Sequence, residues 1–228
     1  MKRIDPDRAG AGSGVAAQVW RVDLSQSPAK ADAQTLSSAE IERAQRFVFE
    51  RDRRRYLAAH CALRRLLARH IGRTSSELRF DEGANGKPGL RGLPSCEFNL
   101  SHTEDVALVA LGDQVPIGVD VEMLRPIEDA AELAALHFTS AEQAAWLAAP
   151  VDDRDRLFLS AWTRKEACLK AIGTGLSLSA QAVDAGVEAQ PRDLMVSTSE
   201  GPVALRVQML DAGSDVVAAL ACVMEPSS

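Results

Sequence analysis

Apolar positions along the chain recur with two different spacings. Spacing of three and four residues predicts two long helices, from about Glu50 to Ile71 and from Phe158 to Gly175, with glycines as stop signals. Alternating or short continuous apolar runs predict strands. We place these strands at Val15 to Leu24, Cys96 to Leu111 (a hairpin that bends at Thr103 to Asp105), Ile117 to Glu122, Leu176 to Val187, Val203 to Leu210 and Val216 to Val223. This mixture predicts an α+β fold.

A repeated phrase indicates that the fold is a duplication. Residues 37–40 (SSAE) have the form of a helix capping box, and residues 139–142 (TSAE) repeat it 102 positions later. At the same offset Tyr56 aligns with Phe158, and Arg64 aligns with Glu166. We therefore predict a pseudo-twofold repeat of a strand, helices and strands, with a ligand cleft between the halves. The predicted organisation is a flexible tail at 1–14, an N-terminal half at 15–112 and a C-terminal half at 113–228.

The second long helix carries a lysine where an apolar residue is expected. Lys165 points out of the middle of a broad apolar arc. The arc consists of Leu157, Phe158, Ala161, Trp162, Cys168, Leu169 and Ile172. A lysine there needs a partner, and Glu166 and Lys170 line one edge of the arc, so the pattern indicates a site for an anion. The alternative is an ordinary surface pair between Glu166 and Lys170, worth about 0.3–0.5 kcal/mol.

Composition narrows the class of protein. The 228 residues are 46% hydrophobic and 25% charged, which is typical of a soluble globular chain. Residues 1–14 lack the apolar segment of a signal peptide, and the chain has no run of about 18 apolar residues, so we expect a cytoplasmic protein without a membrane span. The four cysteines form no CxxC pair and are expected to be reduced and buried.

Charge is unevenly distributed along the chain. The net charge of -6 argues against general nucleic-acid binding. Between Ile41 and Arg73, however, the sequence contains ten arginines and only three acidic residues. This zone indicates a phosphorylated ligand or an acidic partner, and a solvated helix face is the alternative.

Two further pairs of residues could take part in binding or catalysis. Asp120 and Glu122 lie two apart on a strand, so both leave the same face and could hold Mg²⁺, with Glu166 as a third carboxylate. A solvent-facing acidic pair is the alternative. Ser101 and His102 could bind phosphate. A Ser/His hydrolase dyad is disfavoured because adjacent strand residues point to opposite faces, and GxSxG, P-loop and HExxH motifs are absent.

Taken together, these motifs resemble the 4'-phosphopantetheinyl transferase superfamily. The resemblance is carried by GVDVE at 118–122, WTRKEACLK at 162–170 and GTGL at 173–176, and FNLSH at 98–102 with Lys87-Pro88 is similar to the larger, Sfp-like group. It implies two similar halves with coenzyme A between them. It also implies transfer of 4'-phosphopantetheine from coenzyme A to a serine of an apo acyl or peptidyl carrier protein, with Mg²⁺ as cofactor and 3',5'-ADP as product.

The resemblance also assigns roles to matching residues. Asp120, Glu122 and Glu166 would hold Mg²⁺. Glu166 would act as the base, Lys170 would stabilise the leaving group, and His102 would be a third catalytic residue. The implied coenzyme A contacts are Arg43, Arg55, Lys87, Pro88, Ser101, His102, Lys165 and Lys170. Glu40 stands where a relative would carry a lysine. We expect a monomer, because one chain forms the cleft. Two other classes remain open, a different metal-dependent phosphoester enzyme acting on coenzyme A and a non-catalytic module that binds carrier proteins.

Overall fold

The computed structural model of the chain describes residues 1–6, 17–83, 85–174 and 177–224. The strands are β1 (Lys2–Ile4), β2 (Gln18–Asp23), β3 (Phe80–Glu82), β4 (Pro88–Leu90), β5 (Cys96–Thr103), β6 (Val106–Asp113), β7 (Ile117–Met123), β8 (Arg192–Thr198), β9 (Gly201–Met209) and β10 (Val216–Val223). The helices are α1 (Lys30–Ala33), α2 (Ser38–Gln45), α3 (Glu50–Ile71), α4 (Ala130–His137), α5 (Ser140–Ala148) and α6 (Arg154–Ile172). The predicted α+β class is confirmed.

Two four-stranded antiparallel sheets form the centre of the molecule. Their strand orders are β1-β2-β6-β5 and β7-β10-β9-β8, and β3 pairs with β4 in a separate small ribbon. In each sheet the strand that precedes the long helix pairs with the last strand of its own half: β2 with β6, and β7 with β10. The same order of strand, capped helix, long helix and strands therefore occurs twice, as the duplication requires.

The sheets pack face to face, and each is covered on its outer face by one long helix. Leu108 and Ala110 of β6 belong to the core between the sheets, together with Val119 of β7 and Leu220 of β10. The alternate residues of β6, such as Val109, pack against α3 instead. On the opposite side α6 packs on β7, β9 and β10. Both faces of β6 and β10 are buried, which explains why these strands are almost continuously apolar.

Each half contains a capped short helix joined to its long helix by a buried ion pair. The capping boxes of α2 and α5 form as predicted, with Glu40 and Glu142 as their acidic members. Glu40 Oε2 lies 2.6 Å from Arg64 Nη2 on α3, and Glu142 Oε2 lies 2.6 Å from Lys165 Nζ on α6. Arg64 is therefore the counterpart of Lys165, and its predicted alignment with Glu166 is wrong by one position.

Four parts of the chain differ from the sequence-based expectation. Lys2–Ile4 form a strand on β2 rather than a flexible tail, and residues 7–14 of that tail lie outside the described residues. The described part of the predicted strand Leu176 to Val187 contains a short 3-10 turn, Ala180–Ala182. In this segment the carbonyl group of Ala185 accepts a hydrogen bond from Arg164, and that of Ala180 accepts one from Lys165. The described part of the segment therefore bonds to side chains of α6 and does not form a strand. Strand β8 and helix α4 were not predicted.

The structure also describes the four cysteines and the lengths of the helices. All four cysteines are buried and unpaired, and burial raises the pKa of the Cys168 thiol to about 12. Among the helices within the described ranges, none is long and apolar enough to cross a membrane.

Candidate active site between the two halves

Strand β7 turns its polar residues towards α6. Val119 and Val121 point into the core between the sheets, so the alternate residues Asp120 and Glu122 leave the opposite face. On α6, Glu166 and Lys170 are one turn apart. The packing of α6 on β7 therefore brings two carboxylates of a strand to a carboxylate and a lysine of a helix.

Gly118 sets the distance between these two elements. A Cβ atom at this position would lie 2.1 Å from the Ala167 carbonyl oxygen and 2.4 Å from the Ala171 nitrogen. Real Cβ atoms essentially never approach other atoms so closely, so only glycine allows α6 to lie directly on the strand at this point. The sequence did not reveal this role, because the close approach depends on how the two elements pack.

Asp120 is the centre of the polar contacts. Its Oδ1 accepts hydrogen bonds from Ser101 Oγ at 2.8 Å and from Lys170 Nζ at 2.5 Å, and Lys170 Nζ also lies 3.1 Å from Ser101 Oγ. Asn99 holds β5 against β7, because its side-chain oxygen accepts a hydrogen bond of 2.9 Å from the Val119 backbone nitrogen. Ser101 and Asp120 thus come from different halves and meet at the boundary.

Negative charge accumulates around Asp120. Burial raises the pKa of Glu122, and the charges of Asp120 and Glu166 raise it further, against the opposing effects of Arg125 and Lys170. Burial also raises the pKa of Glu166, where Asp120 adds to the rise and Lys170 opposes it. These carboxylates are close enough to repel one another, and a cation placed between them would relieve that repulsion.

The donor set fits Mg²⁺. The second oxygen of Asp120, Oδ2, is buried and has no hydrogen-bond partner within the described residues. Glu122 and Glu166 supply further carboxylate oxygens, the ligand type that Mg²⁺ takes in proteins. In the described ranges no three acidic, histidine or cysteine side chains converge closely enough to hold a metal ion as they stand. Binding a cation would therefore require the carboxylates to draw together.

A cavity of about 540 Å³ opens beside this cluster, between the two halves. Its walls include Lys87 and Pro88 from the first half and Trp162, Glu166 and Lys170 from the second. This volume is typical of small-molecule sites, which span roughly 300–1,000 Å³. A second cavity of about 400 Å³ is lined by Glu122, Arg125 and Trp162.

His102 lies at the side of the site that faces α3. The protein around it lowers the pKa of the imidazole by desolvation, and the nearby side chains of Lys170 and Arg55, together with that of His60, lower it further, while Asp52 opposes the change. Its neighbour Ser101 points the other way, to Asp120, so the two residues do not form a hydrolase dyad. His102 therefore lies among several basic groups, where an anion would be stabilised.

Lys165 does not lie in this site, and its predicted contact with phosphate is corrected. Its side chain is 0% exposed, and its Nζ forms the ion pair with Glu142 and donates to the carbonyl groups of Ala180 and Val183. Burial lowers the pKa of Lys165, and the hydrogen bond to Glu142 opposes that change. The partner that this lysine requires is a carboxylate of the same half, not a ligand.

Lys87, another predicted coenzyme A contact, is bonded to the protein itself. Lys87 Nζ donates to the carbonyl groups of Ile117 and Ala171, at 3.2 Å each, and lies 3.3 Å from Glu97. These bonds connect a loop of the first half to β7 and α6 of the second. Pro88 lines the cavity.

Two arginines of the first half lie on or beside α3. Arg55 Nη2 lies 2.6 Å from Glu104, and Arg55 Nε lies 2.9 Å from Asp105, so this arginine holds the β5–β6 hairpin that carries His102. Arg43 is exposed, with its guanidinium 5.9 Å from the centre of the Tyr56 ring.

The glycine-containing segment at 173–176 ends α6, and its residues 175 and 176 lie outside the described residues.

His137 was not predicted as part of the site. Its ring packs edge-on against Trp162, with 5.2 Å between the ring centres, and it lines the larger cavity. Its proximity lowers the pKa of Glu166. It ends the unpredicted helix α4, so no sequence signal connected it to Glu166.

Comparisons with known proteins agree with this architecture. The family model of the 4'-phosphopantetheinyl transferase superfamily matches residues 116–221, and the model of the N-terminal part of 4'-phosphopantetheinyl transferase matches residues 20–113. The chain is 38% identical over 164 residues to 4'-phosphopantetheinyl transferase HetI of Nostoc sp., an alignment that covers 70% of this chain and 69% of that protein.

Two Bacillus proteins are also similar. Identity with psf-1 of Bacillus pumilus is 31% over 169 residues, covering 74% of this chain and 71% of psf-1. Identity with Sfp of Bacillus subtilis is 33% over 143 residues, covering 63% of this chain and 62% of Sfp. Since family models match both halves and more than two thirds of HetI is covered, this chain belongs to the 4'-phosphopantetheinyl transferase superfamily, in its Sfp-like form.

Proposed function

We propose that this chain transfers 4'-phosphopantetheine from coenzyme A to a serine hydroxyl of an apo acyl or peptidyl carrier protein. One observation carries the proposal beyond family membership. Asp120 binds Ser101 and Lys170 through one oxygen and leaves the other unpartnered, beside a cavity formed by both halves. This arrangement offers a cation site and a cationic side chain at one place, as a pyrophosphate requires.

In the proposed reaction the carrier serine oxygen forms a bond to the phosphorus that bears pantetheine. The bond from that phosphorus to the bridging pyrophosphate oxygen breaks, and 3',5'-ADP leaves. Glu166, whose pKa is raised by burial, accepts the serine proton directly or through water. Lys170 stabilises the charge that develops on the leaving group, and Ser101 and His102 bind phosphate oxygens.

Asp120, Glu122 and Glu166 would hold Mg²⁺. Bound there, the ion would neutralise pyrophosphate charge and orient its oxygens. The chain's own contribution is to hold α6 directly on β7, through the close packing at Gly118, so that the three carboxylates and Lys170 stay near one another. We also propose that the enzyme acts as a monomer, since one chain supplies both walls of the cavity.

Release of 3',5'-ADP in the presence and absence of carrier tests the proposal against its alternatives. The chain is incubated with coenzyme A and Mg²⁺, and products are separated chromatographically. We expect 3',5'-ADP only when an apo carrier is present. Free phosphopantetheine without carrier would instead identify a hydrolase acting on coenzyme A. Carrier binding without any turnover would identify a non-catalytic module.

A further inference from the structure

Three consecutive large apolar residues are exposed between α2 and α3. Phe47, Val48 and Phe49 are 39%, 89% and 65% exposed. Single exposed apolar residues are common, but a contiguous group of this kind marks an interaction surface more often than chance. Val48 contributes nothing to the core, so a role in folding does not explain the exposure of this side chain.

Exposed arginines surround this group. Arg43 and Arg46 form no ion pair within the described part of the chain, and Arg51 and Arg53 are paired only with the neighbouring acids Asp52 and Glu50. We call the apolar trio and these four arginines the 43–53 surface. It is basic although the whole protein carries a net charge of -6. Its chemistry complements an acidic partner that presents an apolar side chain.

The 43–53 surface is connected to the candidate active site by a row of rings. Phe47 lies 5.4 Å from Tyr56, and Tyr56 lies 4.0 Å from His60, measured between ring centres. His60 is near enough to His102 to lower its pKa. From Phe49 to His60 the helix rises roughly 16 Å. A standard interface buries about 800 Å² per partner, a patch roughly 30 Å across, so one docked protein can span this distance.

A second exposed apolar surface, on α4, has the opposite charge. Leu133 and Leu136 are 36% and 65% exposed there. The exposed charged residues beside them are three acids, Glu128, Asp129 and Glu132, and one arginine, Arg125, so the surface is acidic on balance. An acidic partner would be repelled from α4 and attracted to the 43–53 surface, so charge distinguishes the two.

We propose that the 43–53 surface docks an acidic protein, and, on the basis of the proposed function, that this protein is the apo carrier substrate. The arginines attract its carboxylates, and Val48 and Phe49 pack against an apolar side chain at the centre of the contact. Docking here would place the carrier beside His102, at the mouth of the site.

Two substitutions test this docking surface, with an apo acyl carrier protein of net negative charge as the probe. Val48→Glu and Arg46→Glu each add a negative charge at exposed positions that touch neither Asp120 nor Glu166. We expect the KM for the carrier to rise about tenfold, equivalent to about 1.4 kcal/mol, while kcat and the KM for coenzyme A stay unchanged. Met195→Glu is the matched control, because Met195 is 64% exposed on β8 of the other half.

The outcomes separate this proposal from the proposed function. An unchanged carrier KM in both variants, with transfer intact, overturns the docking surface and leaves the function standing. An equal effect of Met195→Glu, or a parallel rise in the KM for coenzyme A, also overturns it. Absence of transfer by the unaltered chain would overturn the function itself. Higher salt should raise the carrier KM of the unaltered chain more than that of Arg46→Glu.

Discussion

Replacing Gly118 with alanine tests the geometry that holds the site together. The new methyl group would begin 2.1 Å from the Ala167 carbonyl oxygen and 2.4 Å from the Ala171 nitrogen. Both are backbone atoms in the middle of α6, so no side-chain rotation relieves the contact. Because a carbon and an oxygen normally stay about 3.3 Å apart, α6 must move from β7 by roughly 1 Å.

This displacement acts directly on the cluster of Asp120, Glu166 and Lys170. The Nζ of Lys170 lies 2.5 Å from Asp120 Oδ1, and Glu166 lies one turn earlier on the same helix. A misplacement of about 1 Å can reduce a rate about 10²-fold. Overpacking of this kind also destabilises a protein by about 1–3 kcal/mol, and each kcal/mol corresponds to a fall of about 2–4 °C in Tm for a chain of this size.

Transfer kinetics and thermal unfolding measure the two effects. We expect Gly118→Ala to fold with a lower Tm and to lose about 10²-fold in kcat. Gly89→Ala is the matched control, because a Cβ at Gly89 meets nothing within 4 Å. If Gly118→Ala has the kcat and Tm of Gly89→Ala, the close packing of α6 on β7 does not position the site, and the reasoning is refuted.

Three further predictions follow from single side chains. Lys165→Met leaves the Glu142 carboxylate buried without its cation, so chemical denaturation should detect a loss of about 3–5 kcal/mol in the free energy of unfolding. The folded enzyme should keep its affinity for coenzyme A, and a weakened affinity at unchanged stability would contradict this. Lys170→Met should lower kcat about 10²-fold and change the KM for coenzyme A much less, and a purely KM effect would show that Lys170 acts in ground-state binding. Because the pKa values of Glu122 and Glu166 are raised on folding, the folded state retains protons that the unfolded chain has released. Stability without divalent cations should therefore fall as pH rises above about 4.5, and Glu166→Gln should flatten this slope; an identical slope would count against the charge cluster.

Local sequence signals were sufficient for much of the fold. Helix α3 begins and ends where predicted, at Glu50 and Ile71, because the apolar spacing is regular and Gly72 adopts the left-handed conformation that ends it. Both capping boxes form, since each depends on residues only three positions apart. Helix α4 was missed because it is short and its alanines and leucines lack a clear helical period.

The error over Lys165 has a specific physical origin. The resemblance assigned a phosphate contact to Lys165, but each residue of a helix is rotated by about 100° from the next, so Lys165 and the cavity-lining Glu166 lie on different faces. Arg64 corresponds to Lys165, and Glu166 is the next residue, which faces the cavity. The need for a partner was evident from the apolar arc, but its identity was not, because Glu142 already had a role in its capping box.

Contacts between the halves could not be predicted from the sequence. Ser101 reaches Asp120, and Asn99 reaches the backbone of Val119, across the boundary between β5 and β7. The requirement for glycine at 118 likewise depends on the approach of a helix that lies about fifty residues later in the chain. Such contacts depend on how finished elements pack, which no local pattern specifies.

The intact mass of an apo carrier protein tests the central claim most directly. The carrier is incubated with this chain, coenzyme A and Mg²⁺, and a carrier whose acceptor serine is replaced by alanine is the control. We predict that the carrier gains the mass of one phosphopantetheine, that the alanine carrier gains nothing, and that Glu166→Gln abolishes the gain while coenzyme A still binds. An unchanged mass across several acyl and peptidyl carriers would contradict the account.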